Sequence, residues 1–253
     1  MVDQAGHQRP QLVVSVDQVA MLRETRKARL PDPVHFALEA EQAGANGIKA
    51  HLRLDRRHIQ DYDVHLLARL VKSRFFLQLS PNQDISHIVN ELRPQNLVLA
   101  AERRDEIATE NGLDVSLLAG QLLPLIRGID QKTTRVFLLV DPVFDHIRAA
   151  AKLEVHGLMI NLRDYALASV SGFSEKLFRE VRDAVKLSSK YGLETHLVNA
   201  IRFDMVPALS RLDGVAGIQV GHDLVSRALM TGTRHTVTSF LSQFPPHIPE
   251  PLN

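Results

Sequence analysis

The stretch Ile48–Leu79, IKAHLRLDRRHIQDYDVHLLARLVKSRFFLQL, decides the architecture. Its opening residues, Ile48–His51, read as a short β-strand, and Phe75–Leu79 is a second, apolar nearly throughout. Between them Asp61–Ser73 has helical periodicity: Val64, Leu67, Ala68 and Val71 fall on one face, and Asp61 is placed to act as N-cap. A strand with so few polar positions is buried on both faces, which requires a parallel sheet covered by helices.

The same alternation runs outward in both directions. Further strands are expected at Leu12–Val16, Asn96–Ala100, Arg135–Val140, Leu158–Asn161, Glu194–Leu197 and Ile218–Val220. In the helical segment Ser174–Tyr191, Leu177, Phe178, Val181, Ala184 and Val185 form the apolar stripe. Ser174 can cap its start and Gly192 can close its end, as Gly44 can close the helix before the second strand. Eight strand–helix units point to a closed (β/α)8 barrel, a fold that commonly takes about 250 residues as one domain. Neither G-x-G-x-x-G after the first strand nor G-x-x-x-x-G-K-[ST] is present, which weakens an open doubly wound sheet. The expected organisation is an extension over 1–11, a barrel over 12–244 and a proline-rich tail over 245–253.

Composition closes off other classes. The chain has 253 residues, 45% of them hydrophobic, which is ample for a core and excludes wholesale disorder. There is no cysteine, so disulfides and thiolate chemistry are excluded. A net charge of +1 argues against nucleic acid as the main partner. No apolar run approaches the ~18 residues that span a membrane, and the first residues are polar, so no membrane partner and a cytoplasmic location are expected. Of the 30 basic side chains, 22 are Arg and 8 are Lys; genome composition explains such a bias unless position shows arginines gripping phosphate or carboxylate.

In barrels of this kind the active site is built at the C-terminal strand ends. The first strand is followed by Asp17, Gln18, Arg23 and Arg26, the second by His51, Arg53, Asp55, Arg56, Arg57 and His58. Gln78 ends the third, and Glu102, Arg103 and Arg104 follow the fourth. Asn161 and Arg163 follow the sixth, His196 and Asn199 the seventh, and Gly221, His222 and Asp223 the eighth. The exit His51–Ile59, HLRLDRRHI, is the most polar. It reads either as a solvated loop or as an anionic-substrate site, in which arginines hold the anion and a histidine moves protons. A metal site fits poorly, because His51 and His58 are seven apart with no convergent carboxylates. In VGHDLVSRALMTG (Val220–Gly232) a glycine between strand and helix is either ordinary turn chemistry or a helix N-terminus open to phosphate.

These residues carry a resemblance. VSVDQVAMLRETR (Val14–Arg26) with PDP (Pro31–Pro33), EQAGANGIKAHLRLDRRHIQDYDV (Glu41–Val64), AERRDEIATENGLDV (Ala101–Val115) and VGHDLVSRALMTG resemble, in order and spacing, the pyridoxine 5′-phosphate synthase family. The resemblance implies a TIM barrel with extra helices, assembled as an octamer. It implies condensation of 1-deoxy-D-xylulose 5-phosphate with 3-amino-2-oxopropyl phosphate, with no metal or organic cofactor. His51 matches the family's proton-accepting histidine. Asp17, Arg26, Arg53 and His58 match substrate-holding positions, and Gly221 with His222 matches the pair at a substrate phosphate.

Other positions depart from the family pattern. Ser15 stands for Asn, Gln18 for His, Gln78 for the catalytic Glu and Ala108 for a substrate-binding Thr. THLVNAIRF lacks the Gly-His-Gly that supplies the proton-donating histidine, with Asn199 and Ala200 in its place. Met159 and Asn161 replace Glu and His. An amide does not exchange protons usefully near neutrality, and one general acid or base typically contributes about 10²–10⁴-fold. The binding half of the site therefore survives better than the proton-transfer half. The expectation is a divergent barrel that binds phosphorylated small molecules with the ring-closing reaction lost or altered. The alternatives are a working synthase using His51, His222 and a shifted His196, or a non-enzymatic vitamin B6 phosphate sensor or assembly partner.

Overall fold

The structure is a computed structural model, and it describes residues 9–103, 105, 110–170 and 174–246. Eight parallel strands close on themselves: β1 Gln11–Ser15, β2 Gly47–His51, β3 Arg74–Leu79, β4 Asn96–Leu99, β5 Arg135–Val140, β6 Gly157–Asn161, β7 Glu194–Val198 and β8 Val215–Val220. The helices among the described residues are α1 Asp17–Arg26, α2 Pro33–Gln42, α3 Asp61–Leu70, α4 Ile85–Leu92, α5 Val115–Arg127 and α6 Phe144–Ala150. They continue with α7 Arg163–Ala168, α8 Glu175–Lys190, α9 Val206–Leu209, α10 His222–Thr231 and α11 Thr233–Leu241. The expected (β/α)8 TIM barrel is the observed fold. The extra helices are α2, α7 and α11, each beyond one helix per unit.

The two-residue period of the strands sorts side chains between two compartments. One set, with Leu12, Val14, Ile48, Leu77, Leu97, Leu138 and Ile218, faces the helices and joins a continuous outer core. The other set fills the barrel. Its middle is an apolar plug of Val13, Phe76, Val98, Phe137, Leu139, Met159 and Val198, all buried. One step further along the same faces lie Ser15, His51, Gln78, Asn161 and Gln219, so the C-terminal end of the barrel is polar while its middle is dry.

Local chemistry accounts for most boundaries. Ser174 caps α8 by accepting from the Leu177 amide at 3.4 Å. Gly44 and Gly192, at φ +105° and +70°, turn the chain in the left-handed region after α2 and α8. Two expectations are corrected. The N-cap of α3 is Gln60, not Asp61: its backbone is extended, and its amide donates to Asp63 Oδ2 at 2.8 Å. The helix also stops at Leu70 rather than Ser73, because the Glu41 carboxylate accepts from the Lys72 and Ser73 amides and draws that segment out of the helix.

The second strand exit is held by a buried ion pair. Arg23, in the last turn of α1, donates both guanidinium Nη atoms to Asp63 at 2.7 Å and also bonds the His58 carbonyl at 3.0 Å. Arg23 is 2% exposed and Asp63 0%. Removing one partner leaves the other charged and buried, at a cost of roughly 3–5 kcal/mol. Asp63→Ala should therefore lower unfolding stability by about that amount, read from the urea midpoint at unchanged m-value. A loss of well under ~1 kcal/mol would show that the pair is dispensable.

Candidate active site

A cavity of about 560 Å³ opens at the C-terminal end of the barrel. Ser15, Asp17, Gln18, His51, His58, Gln78, Asn199, Ala200, Gly221 and His222 all line it, as do the strand-exit candidates Arg163 and Asp223, so twelve sequence-derived candidates converge there. Arg26 and Arg53 are not among the lining residues. Arg26 is exposed at the end of α1. Arg53 is fully buried and bonds Asp55 at 3.1 Å and the Arg103 carbonyl at 2.9 Å, which fixes the exit loop instead of presenting a charge to the cavity. Ala108 and Arg104 lie outside the described residues.

The centre of the wall is Asp17. Its Oδ1 accepts from the His51 amide at 2.7 Å, and its Oδ2 accepts from Ser15 Oγ at 3.0 Å and from Lys49 Nζ at 2.6 Å. Burial alone would raise the carboxyl pKa, but Lys49, His58 and His51 outweigh it and hold Asp17 well below the usual carboxylate range. Lys49, 5% exposed, is a site residue that the motifs do not point to. Lys49 is not at a strand end: it sits within β2, two residues before His51 and so on the same inward face. A lysine inside an otherwise apolar strand was the available signal.

His51 is buried, with Nε2 3.5 Å from Glu102 Oε2; this is an ion-pair distance without hydrogen-bond alignment. Burial pushes its pKa down, against the opposing pull of Glu102 and Asp17. Burial raises Glu102 in turn, but His51 and Arg53 prevail and hold it below its ordinary value. His58 lies with its ring centroid 5.8 Å from that of His51, and burial brings its pKa down to about 4 despite Asp17. Both imidazoles are thus kept neutral and able to accept protons.

The opposite wall is made of amides and arginines. Asn199 donates from Nδ2 to Asn161 Oδ1 at 3.0 Å, and Asn161 donates to Asp141 Oδ1 at 2.8 Å. Arg163 pairs with Glu110 at 3.1 Å, and Arg202 with Asp204 at 3.0 Å; all of these except Asp204, Asn161 and Asp141 line the cavity. His196 is not shifted toward the mouth. It lies below the apolar plug, fully buried, with Nε2 2.7 Å from Glu194 Oε1 and its ring edge-on to Phe76 and Phe137. Gly217 leaves room for it, since a Cβ there would meet the imidazole. Met159 belongs to the same plug and contributes no polar group to the mouth. Gly221 precedes α10, and a Cβ there would come within 2.7 Å of Gln18 Oε1. Among the described residues no group of three or more His, Asp or Glu is arranged to hold a metal ion, and no helix is long and apolar enough to cross a membrane.

Fold and cavity together define a (β/α)8 barrel whose mouth combines cationic groups with buried neutral imidazoles. The family model for pyridoxal phosphate biosynthesis protein PdxJ matches residues 12–244, and the chain belongs to that family. The pyridoxine 5′-phosphate synthase of Rhodopirellula baltica is 37% identical over 226 residues, covering 89% of this chain and 92% of the relative. That of Syntrophobacter fumaroxidans is 35% identical over 231 residues, 91% and 97% of the two chains. Among solved structures, tryptophan synthase from M. tuberculosis in its open form with BRD0059 bound superposes with TM-score 0.64 at 11% identity, covering 93% of this chain and 92% of that one. KGPDC from Streptococcus mutans gives TM-score 0.64 at 9% identity, with 93% and 97% coverage. At these identities the two structures share the fold alone.

Two outcomes follow from the geometry. As pH falls, the unfolded chain protonates His58 near its ordinary value of 6.5, while the folded protein resists until about 4. Stability is therefore unaffected by this group above pH 6.5 and falls between 6.5 and 4, by on the order of 3 kcal/mol at ~1.4 kcal/mol per unit. His58→Gln should flatten urea-derived stability across that window; a slope equal to that of the parent would contradict a buried neutral imidazole. Ala200, at φ +53°, occupies the left-handed region that costs an L-residue roughly 1–2 kcal/mol. Ala200→Gly should raise the urea midpoint, with a net gain of about 0.5–1 kcal/mol after the entropy of the added glycine.

Proposed function

We propose that the mouth binds a phosphorylated small molecule of the family's substrate type, 1-deoxy-D-xylulose 5-phosphate or 3-amino-2-oxopropyl phosphate, and that the ring-closing condensation is lost or altered. The observation that carries this reading is that Gln78 and Asn199, both on the cavity wall, put amides where the resemblance places the proton-transferring Glu and His. Asn199 is moreover tied to Asn161 at 3.0 Å, a bond that positions it without giving it a titratable proton. Binding groups are retained. Gly221 and His222 open α10 at the cavity, where backbone amides and the helix dipole favour an anion. Ser15, Asp17, Gln18, His58 and Ala200 are assigned as ligand contacts, and His51 as the proton acceptor. Arg26 stays assigned to the ligand by resemblance alone, and Arg53 acts through the loop it anchors. Assembly as a homo-oligomer, an octamer by family analogy, belongs to the same proposal.

A second reading, an active synthase with a rearranged acid–base set, is favoured by the His51–Glu102 contact at 3.5 Å, which sets a carboxylate beside the imidazole. The two readings separate in one assay: the purified protein is mixed with both substrates and pyridoxine 5′-phosphate is followed. The first reading expects calorimetric binding of at least one phosphate with product formation far below that of an authentic synthase. Turnover at the authentic rate would establish the second, and absence of any phosphate binding would overturn both. Under the first reading, Gln78→Glu with Asn199→His should recover part of the ~10⁴-fold that two general acid–base groups supply.

A further inference from the structure

Lys49 lies within the Glu41–Val64 stretch that carries the family resemblance, but the resemblance gives it no role, and it is buried on the cavity wall. Its ammonium is inside the barrel at 5% exposure, and the other seven lysines of the chain are all exposed. Burying a cation costs several kcal/mol unless it is paired, and Asp17 at 2.6 Å supplies the pair. Charge compensation alone leaves much unexplained. Asp17 already accepts from Ser15 Oγ and the His51 amide, and an ammonium has three donors, of which Asp17 takes one. Lys49 lines the cavity, and of the lining residues it alone carries a primary amine. Two imidazoles lie near enough for its charge to act on both. With no cysteine in the chain and with amides at 78 and 199, Lys49, once it gives up a proton, supplies the one primary amine among the lining residues for attack on a carbonyl carbon.

We infer that Lys49 forms an iminium with the carbonyl carbon of a small aldehyde or ketone ligand seated over Asp17 and the two histidines. The inference takes the ligand's phosphate from the proposed function, while the amine chemistry stands independently of it. A proton first leaves the Lys49 ammonium for solvent at the open mouth, because the two imidazoles, held neutral by burial, are too weakly basic to take it. The freed lone pair then attacks the carbonyl carbon, forming the C–N bond as the C=O π pair moves onto oxygen. That oxygen takes up the proton lost from nitrogen to give a carbinolamine. A proton taken back from solvent goes to the hydroxyl, which leaves as water as the C=N bond forms. Ammonium plus carbonyl thus becomes iminium plus water, with no net proton or electron change and no co-reactant. Asp17, fixed and ionised, offsets the positive charge before and after the step.

The test uses the full chain with dihydroxyacetone phosphate and, separately, dihydroxyacetone, each reduced with sodium borohydride and followed by peptide mass mapping. The expected result is a reduced secondary-amine adduct on Lys49 before any exposed lysine is labelled, absent in Lys49→Arg. Adduct on Lys49 with the phosphorylated probe favoured supports both the amine role and the phosphate reading. Equal labelling by the two probes supports the amine role and removes the phosphate from the argument. Adducts confined to exposed lysines, or none, would overturn the inference even if calorimetry shows the phosphorylated probe bound. Because the mapping is done on the unaltered chain, the outcome does not depend on whether Lys49→Arg folds.

Discussion

The Asp17 carboxylate is the interaction on which the mouth depends. It stands at the start of α1, directly beyond β1, and its two oxygens hold a serine of that strand, a lysine of β2 and the backbone amide of His51. A buried carboxylate is tolerable only with such partners. In satisfying it, the fold draws two strand ends together and places a fixed negative charge beside two histidines. That charge works against burial at both imidazoles; burial still wins, and they stay neutral. The exit loop with Arg53 and His58 is secured separately by Arg23 and Asp63, whose pairing lies behind the cavity wall.

The two sides of the mouth have different character. The β1–β2 side concentrates titratable groups: Asp17, Lys49, His51, His58 and, reaching in from beyond β4, Glu102. The β6–β7 side combines the hydrogen-bonded network of Asn161, Asn199 and Asp141 with the ion pairs of Arg163 with Glu110 and Arg202 with Asp204. Asn199 and Ala200 both have positive φ, +67° and +53°, so this exit adopts a backbone suited to glycine with side chains that are not glycine.

Much of the fold was legible in the sequence because a parallel strand buried on both faces leaves an apolar run, and eight such runs leave little choice of topology. Strand ends agreed to within a residue for most strands; β8 began earlier than expected because Val215–Gly217 contains a glycine that lowers its strand signal but makes space for His196. The end of α3 was misjudged because the competing acceptor, Glu41, is distant in sequence. Within the site, His51, Gln78 and Asn199 could be found because strand ends locate them. Lys49 could not be found by that rule, and Glu102, noted as a strand-exit residue, had no visible partner until His51 stood beside it.

The sequence by itself determined the barrel and the chain's membership of its family, because these rest on periodicity and on ordered motifs read along the chain. Only the tertiary structure decided which arginines face inward and that His196 is sealed beneath an aromatic plug. It alone decided that a lysine from one strand meets an aspartate beyond another. Those outcomes depend on burial and on contacts between residues tens of positions apart, where closure of the barrel, not local preference, fixes who is neighbour to whom.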